Sequence, residues 1–359
     1  MYKLIKFDKE GNYIKDFLAL PKELYSKSDI VQNEKEERDI LLENHLLSKY
    51  FKIYKLLVYK EMKVAARCIL TIYPNDQCAY IGFFECIKDT ECSKLLFEEA
   101  SRLSRDNKCN KIIGPVDCSF WIKYRLKFDN FNKKPYVSEP YNKEYYLEQF
   151  LAGGYRVVET YVSNYYDKLP RFNYTNKKCK DRYDEFISKG YEISSPKVKD
   201  YDIVIRKIYK LLIELFKDFP VFKTIKEEDF VQLFASYQRI LDFSFVKLAY
   251  YKGEAVGFVI GMPDYGNMLY GKIGLLKYGK ILFKKTRSSN YVVLYMGVSP
   301  EHVGLGNAMG HTLIKNVQRK RATSIGALIK AGKVTQRYVN NKITSSNTYV
   351  LLEYDLGSH

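Results

Sequence analysis

The chain has 359 residues, 46% hydrophobic and 28% charged, and its 59 Lys+Arg against 42 Asp+Glu give a formal net charge of +17. That composition excludes a disordered chain and suits one large or two medium domains. No apolar run approaches the roughly 18 residues of a membrane span, and the first residues lack the apolar core of a signal peptide.

Taken in order, residues 32–50 read as a helix with acidic residues near its start. Strands follow at 52–59, 63–73 and 77–87, the last apolar on both faces and therefore central. An amphipathic helix at 90–106 places Cys92, Leu95, Leu96, Ala100 and Leu103 on one face. A short strand at 111–116 stops at Gly114-Pro115. A helix at 143–152 ends at Gly153-Gly154, and a strand covers 156–167. The stretch 169–200 reads as a connection containing a helix at 178–188 and a strand near 191–195. Helices at 201–217 and 226–240 lead into a hairpin, 245–251 and 254–261, turned at Lys252-Gly253. Residues 264–288 are a Gly/Lys-rich insert. A buried strand at 291–298, a glycine loop and helix at 304–320, a strand at 324–330, a helix at 333–342 and a strand at 347–355 complete the pattern. The second half repeats the element order of the first, which predicts two copies of one α/β fold.

The charge is uneven. Residues 171–359 carry +14 of the +17, which points to an anionic partner or to a lysine-rich coding bias. Seven cysteines without a Cys-x-x-Cys pair imply reduced thiols and a cytoplasmic protein. Four histidines without metal spacing give no metal site. Gly357-Ser358-His359 reads as a tag remnant.

The segment with chemistry in it is Val298-Ser299-Pro300-Glu301-His302-Val303-Gly304-Leu305-Gly306-Asn307-Ala308. It joins a buried strand to a helix that puts Leu305, Met309, Leu313 and Val317 on one face. Small residues at the helix start leave the first-turn N–H groups open, with the positive end of the helix dipole behind them. That is an anion site suited to a pyrophosphate. The alternative is a tight turn that binds nothing.

Val-x-Pro-x-x-x-Gly-x-Gly-x-Ala after a buried strand resembles the acyl-CoA loop of the GCN5-related N-acetyltransferase (GNAT) superfamily. The loop falls on Val303, Gly304, Leu305, Gly306, Asn307 and Ala308, with Val303 replacing the usual Gln or Arg. Other segments resemble a bacterial subgroup with two such domains in tandem: Ile81–Glu85, Gly114–Asp117, Glu139–Tyr146 up to Gly154-Tyr155, Val256–Phe258 and Pro263–Tyr265. The resemblance implies two tandem domains, each a mixed, mostly antiparallel sheet flanked by helices. Residues 1–168 would form the first, 169–200 the connection and 201–356 the acyl-CoA-binding second. At the matching step of the first half, Lys88-Asp89-Thr90-Glu91 has no glycine and two acids, so that copy is expected to be degenerate.

By the same resemblance, acetyl-CoA or another acyl-CoA is the co-substrate, attacked directly by the amine of an unidentified, preferably small acceptor. Backbone N–H groups of Met296, Gly297 and Val298 would meet the thioester carbonyl. Tyr338 is the nearest match to the family's proton donor, with core packing as the alternative. Tyr295 would neighbour the acyl group. No acid stands at Lys330-Ala331-Gly332-Lys333, so the base falls to Glu85, Asp264 or a water chain. His302 precedes the anion site, and His311 is expected to face solvent. Two further readings are a non-catalytic acyl-CoA-binding module and a tRNA-dependent aminoacyl transferase on the same tandem fold. No zinc finger, helix-turn-helix or ribonucleoprotein motif supports nucleic acid.

Overall fold

The computed structural model describes residues 1–172, 174–332 and 342–357. The first half runs β1 (Tyr2–Phe7), α1 (Gly11–Leu24), α2 (Glu34–Leu41), β2 (Lys52–Lys60), β3 (Lys63–Ile72), β4 (Cys78–Cys86), α3 (Thr90–Asp106), β5 (Lys111–Gly114), β6 (Leu126–Lys127), α4 (Tyr146–Ala152) and β7 (Arg156–Tyr166). The second runs α5 (Lys177–Ser188), β8 (Tyr191–Ser194), α6 (Tyr201–Phe216), α7 (Glu227–Phe234), β9 (Val246–Tyr251), β10 (Glu254–Pro263), α8 (Leu275–Arg287), β11 (Asn290–Val298), α9 (Leu305–Lys320), β12 (Thr323–Lys330) and β13 (Ile343–Asp355). The expected mixed α/β fold is the one observed.

One continuous sheet has the order β1-β2-β3-β4-β5-β13-β7-β12-β11-β10-β9-β8, with β6 paired to β13. Each half contributes antiparallel strands and one parallel pair, β4–β5 and β11–β12. A helix crosses over each parallel pair, α3 in the first half and α9 in the second. The halves exchange strands in the middle. β13 pairs β5 of the first half, and β7 pairs β12 of the second.

Both sheet faces are covered. On one face α1, α2 and α6 pack with Phe17, Ile40, Ile205, Ile208 and Leu211 buried. On the other, α3 covers the first half through Cys92, Leu96, Phe97, Ala100 and Leu103, and α9 covers the second through Leu305, Met309 and Leu313. The predicted apolar face of α3 is therefore the buried one, apart from Leu95, which is only partly buried.

Two departures from the sequence reading concern β1 with α1 and the insert, and one expectation lies outside the described residues. β1 and α1 went unread because β1 buries only Phe7 and α1 carries Pro21 and no side-chain N-cap. The Gly/Lys-rich insert contains a helix, α8. The helix expected over 333–342 falls almost wholly outside the described residues, and Tyr338 with it. Among the described residues, no helix is long and apolar enough to cross a membrane.

Candidate functional site

In both halves the parallel pair stops pairing early, but the result differs. The β4–β5 ladder ends at Tyr80–Ile113. The chain after β5 then closes the gap: Val116 N–H donates to the Ile81 carbonyl (2.8 Å), and Phe83 N–H donates to the Asp117 carboxylate (2.6 Å). A Cβ on Gly82 would stand 1.9 Å from the Val116 oxygen, so the first split is filled by backbone.

The β11–β12 ladder ends at Val293–Gly326. Beyond it the strands diverge around a cavity of about 800 Å³, lined by Leu294 to Val298 on one side and Ala327 to Lys330 on the other. Gly310, Leu313, Ile314 and Val317 of α9 line it on one face of the sheet, and Leu215 and Phe216 of α6 on the opposite face. The cavity therefore passes through the sheet. Met296, Gly297 and Val298, the strand residues singled out in the sequence, all line it.

The helix N-termini differ in the same sense. α3 is capped by Asp89, whose Oδ1 accepts from Glu91 N–H (3.0 Å) while Lys60 (2.7 Å) and Tyr2 (3.0 Å) hold Oδ2. A carboxylate of the chain already occupies that anion position. α9 starts at Gly304, with φ +98° and no side-chain cap. Only glycine takes that backbone conformation readily. Val303 is 85% exposed, so its side chain takes no part in the turn's packing. Leu305, Gly306, Asn307 and Ala308 are buried in the first turn.

A residue that motif reasoning missed stands beside this turn. Helix α5 packs along the outer face of α9, with Phe186 in its core and Cys179 Sγ 4.0 Å from Asn307 Oδ1. It carries Arg182 to within 3.5 Å of where a Cβ on Gly304 would stand. The guanidinium also pairs with Glu185 (2.6 Å). An uncapped helix start, a left-handed glycine and an adjacent arginine fit a pyrophosphate-bearing ligand such as an acyl-CoA. Only its place in the fold could have revealed Arg182, because α5 lies in the segment read as a connection.

The same cover corrects one expectation. His311 does not face solvent; it is buried against the Tyr183 ring (5.1 Å between centroids). Burial and nearby Lys315 hold its pKa below the usual histidine range. His302 bonds through Nδ1 to the Tyr191 hydroxyl (2.7 Å) and packs against Tyr251. Asp264 is committed to a turn, where it accepts from Val137 N–H, Gly266 N–H and Asn290 Nδ2 at 2.8–2.9 Å.

On the α6 side the cavity is aromatic, with Phe120, Trp121, Tyr124, Tyr161, Phe219 and Tyr237 among its walls. Tyr295 reaches this side because β11 is bulged opposite Ile260–Gly261. The bulge breaks strand alternation, so Leu294 and Tyr295 both lie against α6 residues. Tyr295 is 39% exposed on the cavity wall, and partial desolvation there raises its hydroxyl above the ordinary pKa while Arg125 pulls the other way. Arg125 has φ +89°. Its guanidinium lies between the Tyr124 and Tyr161 rings, 3.8 and 4.0 Å from their centroids. Arg125 Nε and the Tyr161 hydroxyl are buried without hydrogen-bond partners, and among the described residues Arg125 has no carboxylate partner.

Glu85 is elsewhere. It lines a separate cavity of about 50 Å³ with Tyr25, Glu37, Arg67 and Asp117 and accepts a hydrogen bond from the Tyr146 hydroxyl (2.6 Å). Burial raises its pKa against the opposing pull of Arg67. Lys123, Tyr124, Arg125 and Pro140 line both cavities and form the wall between them. The structure thus brings Tyr295 to the strand split, and it does not bring Glu85 there.

No family model matches the sequence, and comparison with curated proteins found no significant match. Solved structures are similar over nearly the whole chain. A tandem GNAT protein from the clavulanic acid biosynthesis pathway, solved without acetyl-CoA, has 11% identity and a TM-score of 0.52, with 99% of both chains covered. A GCN5-related N-acetyltransferase from Sphaerobacter thermophilus has 12% identity and a TM-score of 0.50, covering 99% of this chain and 96% of that one. One from Kribbella flavida has 11% identity and a TM-score of 0.50, covering 99% and 72%. The chain therefore has the tandem GCN5-related N-acetyltransferase fold, with its open strand split and its uncapped glycine-started helix both in the second half.

Proposed function

We propose that the protein transfers an acyl group, in the first instance acetyl, from an acyl-CoA to an amine. The observation that carries this reading is the contrast between the halves. The first split is filled and its helix start is capped by Asp89, while the second split is open and its helix start is bare. One acyl-CoA per chain follows, with residues 201–356 as the binding domain and the first half as a degenerate copy that shapes the acceptor side.

Arg182 and the N–H groups of Gly304 and Gly306 would hold the pyrophosphate, since Leu305 N–H already donates to the His302 carbonyl (3.1 Å) and Asn307 N–H to that of Gly304 (3.0 Å). Backbone N–H groups of Met296 to Val298, left without a strand partner on the β12 side, would meet the thioester carbonyl. The bound thioester supplies an activated acyl group. Tyr295, a hydroxyl that is protonated at neutral pH by its ordinary pKa of about 10, is the proton donor to the leaving thiolate. Tyr338, outside the described residues, is the second candidate for that role. Asp167 and Asp218 also line the cavity, and they are the candidate acceptors of the proton that the attacking amine gives up. Arg125, held over the Tyr124 and Tyr161 rings, favours an acceptor with an acidic group on an apolar body.

Calorimetric titration with acetyl-CoA tests the reading. Wild type is expected to bind one equivalent, and Gly306→Glu is expected to abolish binding. Absence of binding by wild type, or undiminished binding by the variant, overturns it. Turnover in an amine screen separates an enzyme from a non-catalytic binding module.

A further inference from the structure

Helix α8 is inside out. Its buried side chain is Ile281, and the side that meets the protein is lysine-rich. Lys277 donates to the Tyr270 carbonyl, Lys284 to that of Asp264, and Lys285 to that of Arg239. The large apolar residues point away: Leu275 is 92% exposed, Leu276 87% and Phe283 60%, with Ile273, Tyr278 and Leu282 between 43 and 49%. At about 100° per residue, Leu275, Leu276, Tyr278, Leu282 and Phe283 share one stripe, and Lys280 and Arg287 edge it. A surface helix ordinarily turns such a stripe inward. An exposed apolar patch of this kind marks an interaction site.

The charge around the stripe narrows the occupant. From 265 to 300 the chain has no Asp or Glu and six cations, Lys272, Lys277, Lys280, Lys284, Lys285 and Arg287. Lys272, Lys280 and Arg287 have no carboxylate partner among the described residues. A second copy of this face would set two acid-free cationic rims against each other, which is repulsive. A nucleic acid would satisfy the cations but leave the leucines and Phe283 in water. An anionic bilayer surface satisfies both, since apolar residues enter the acyl boundary while flanking Lys and Arg reach the headgroups.

We propose that α8 docks the protein, lying flat, on an anionic lipid surface. The helix rests on the segment that ends at Arg239, and Tyr237 of that segment lines the large cavity. Docking therefore sets the acceptor side of the cavity beside the bilayer.

Co-sedimentation with vesicles tests this. Wild type is expected to pellet with phosphatidylglycerol-containing vesicles, to stay in solution with pure phosphatidylcholine, and to be partly released by salt. Leu276→Ser/Phe283→Ser removes only outward-facing apolar groups and should weaken partitioning by at least about tenfold. Lys280→Glu/Arg287→Glu should abolish the lipid preference. Unchanged calorimetric binding of acetyl-CoA certifies that each variant is folded; should acetyl-CoA not bind even to wild type, matching thermal melts serve instead. Wild type remaining in the supernatant with anionic vesicles overturns the proposal, as does equal binding to both vesicle types or full binding by the serine variant. Sedimentation velocity showing a dimer that the serine variant dissolves assigns the face to a second copy and overturns it equally.

Discussion

Gly304 and Arg182 are far apart in sequence and adjacent in space. The family's usual Gln or Arg is missing at Val303, and Arg182 brings a cation to the same turn from another helix. Arg182→Ala should raise the Kd for acetyl-CoA about tenfold, the value of one charge-assisted hydrogen bond at a partly exposed site, without changing the melting temperature. Tyr295→Phe removes only the hydroxyl. If that hydroxyl is the proton donor, kcat falls by about 10²- to 10⁴-fold with little change in KM, read from steady-state kinetics. Glu85 gives a pH signature. Its folded pKa is raised, chiefly by burial, so the folded state holds that proton more tightly than the unfolded state. Stability is greatest below the free glutamate value of about 4.3 and declines as pH rises from there through the folded pKa. Glu85→Gln should therefore gain stability relative to wild type as pH rises from the free glutamate value through the folded pKa, read from thermal melts.

Among the elements, β11 does the most. Its bulge sends Tyr295 to the α6 face, and Gly297 lets α6 come close. A Cβ at Gly297 would lie 2.5 Å from Leu215 Cδ1 and 2.7 Å from Phe258 Cε1. Gly297→Ala should cost about 1–3 kcal/mol in urea unfolding, and Leu215→Ala in the same chain should recover part of that loss, a coupling that a double-mutant cycle measures. The strand, the glycine loop and the amphipathic α9 were legible because each is local: a buried run, small residues at a turn, a helical period. The bulge was not, since one extra residue leaves no mark in an apolar run such as Val292–Met296. His311 was misread for a related reason. The period of α9 gives its inner face, but only the packing of α5 decides whether the outer face sees water. α8 was read as an insert because glycines and lysines interrupt its pattern, and its exposed leucines follow no folding rule.

Across the molecule, the exchange of β7 and β13 makes the halves interdependent. A buried network holds the exchange in place. Lys127 and Glu139, both fully buried, pair at 2.9 Å. Tyr349 (2.5 Å) and Asn347 (3.0 Å) of β13 donate to the same Glu139 oxygen. Glu139→Ala leaves Lys127 buried without its counter-charge and should cost about 3–5 kcal/mol in urea unfolding, with both halves lost in one transition. The repeated element order predicted two copies of one fold, and a tandem GNAT protein matches this chain over 99% of both lengths. The exchange itself had no sequence signal, because which strand fills the place beside β5 is decided by a partner far along the chain.

That exchange bears on synthesis at the ribosome. β13 is the last of the described strands to be made, and it belongs in mid-sheet between β5 and β7. Until it emerges, the growing chain presents two unpaired strand edges facing one another. Such edges are templates for pairing with other chains. Translation stalled before residue 343 would leave the nascent protein in its most aggregation-prone state, with most of its helices already formed.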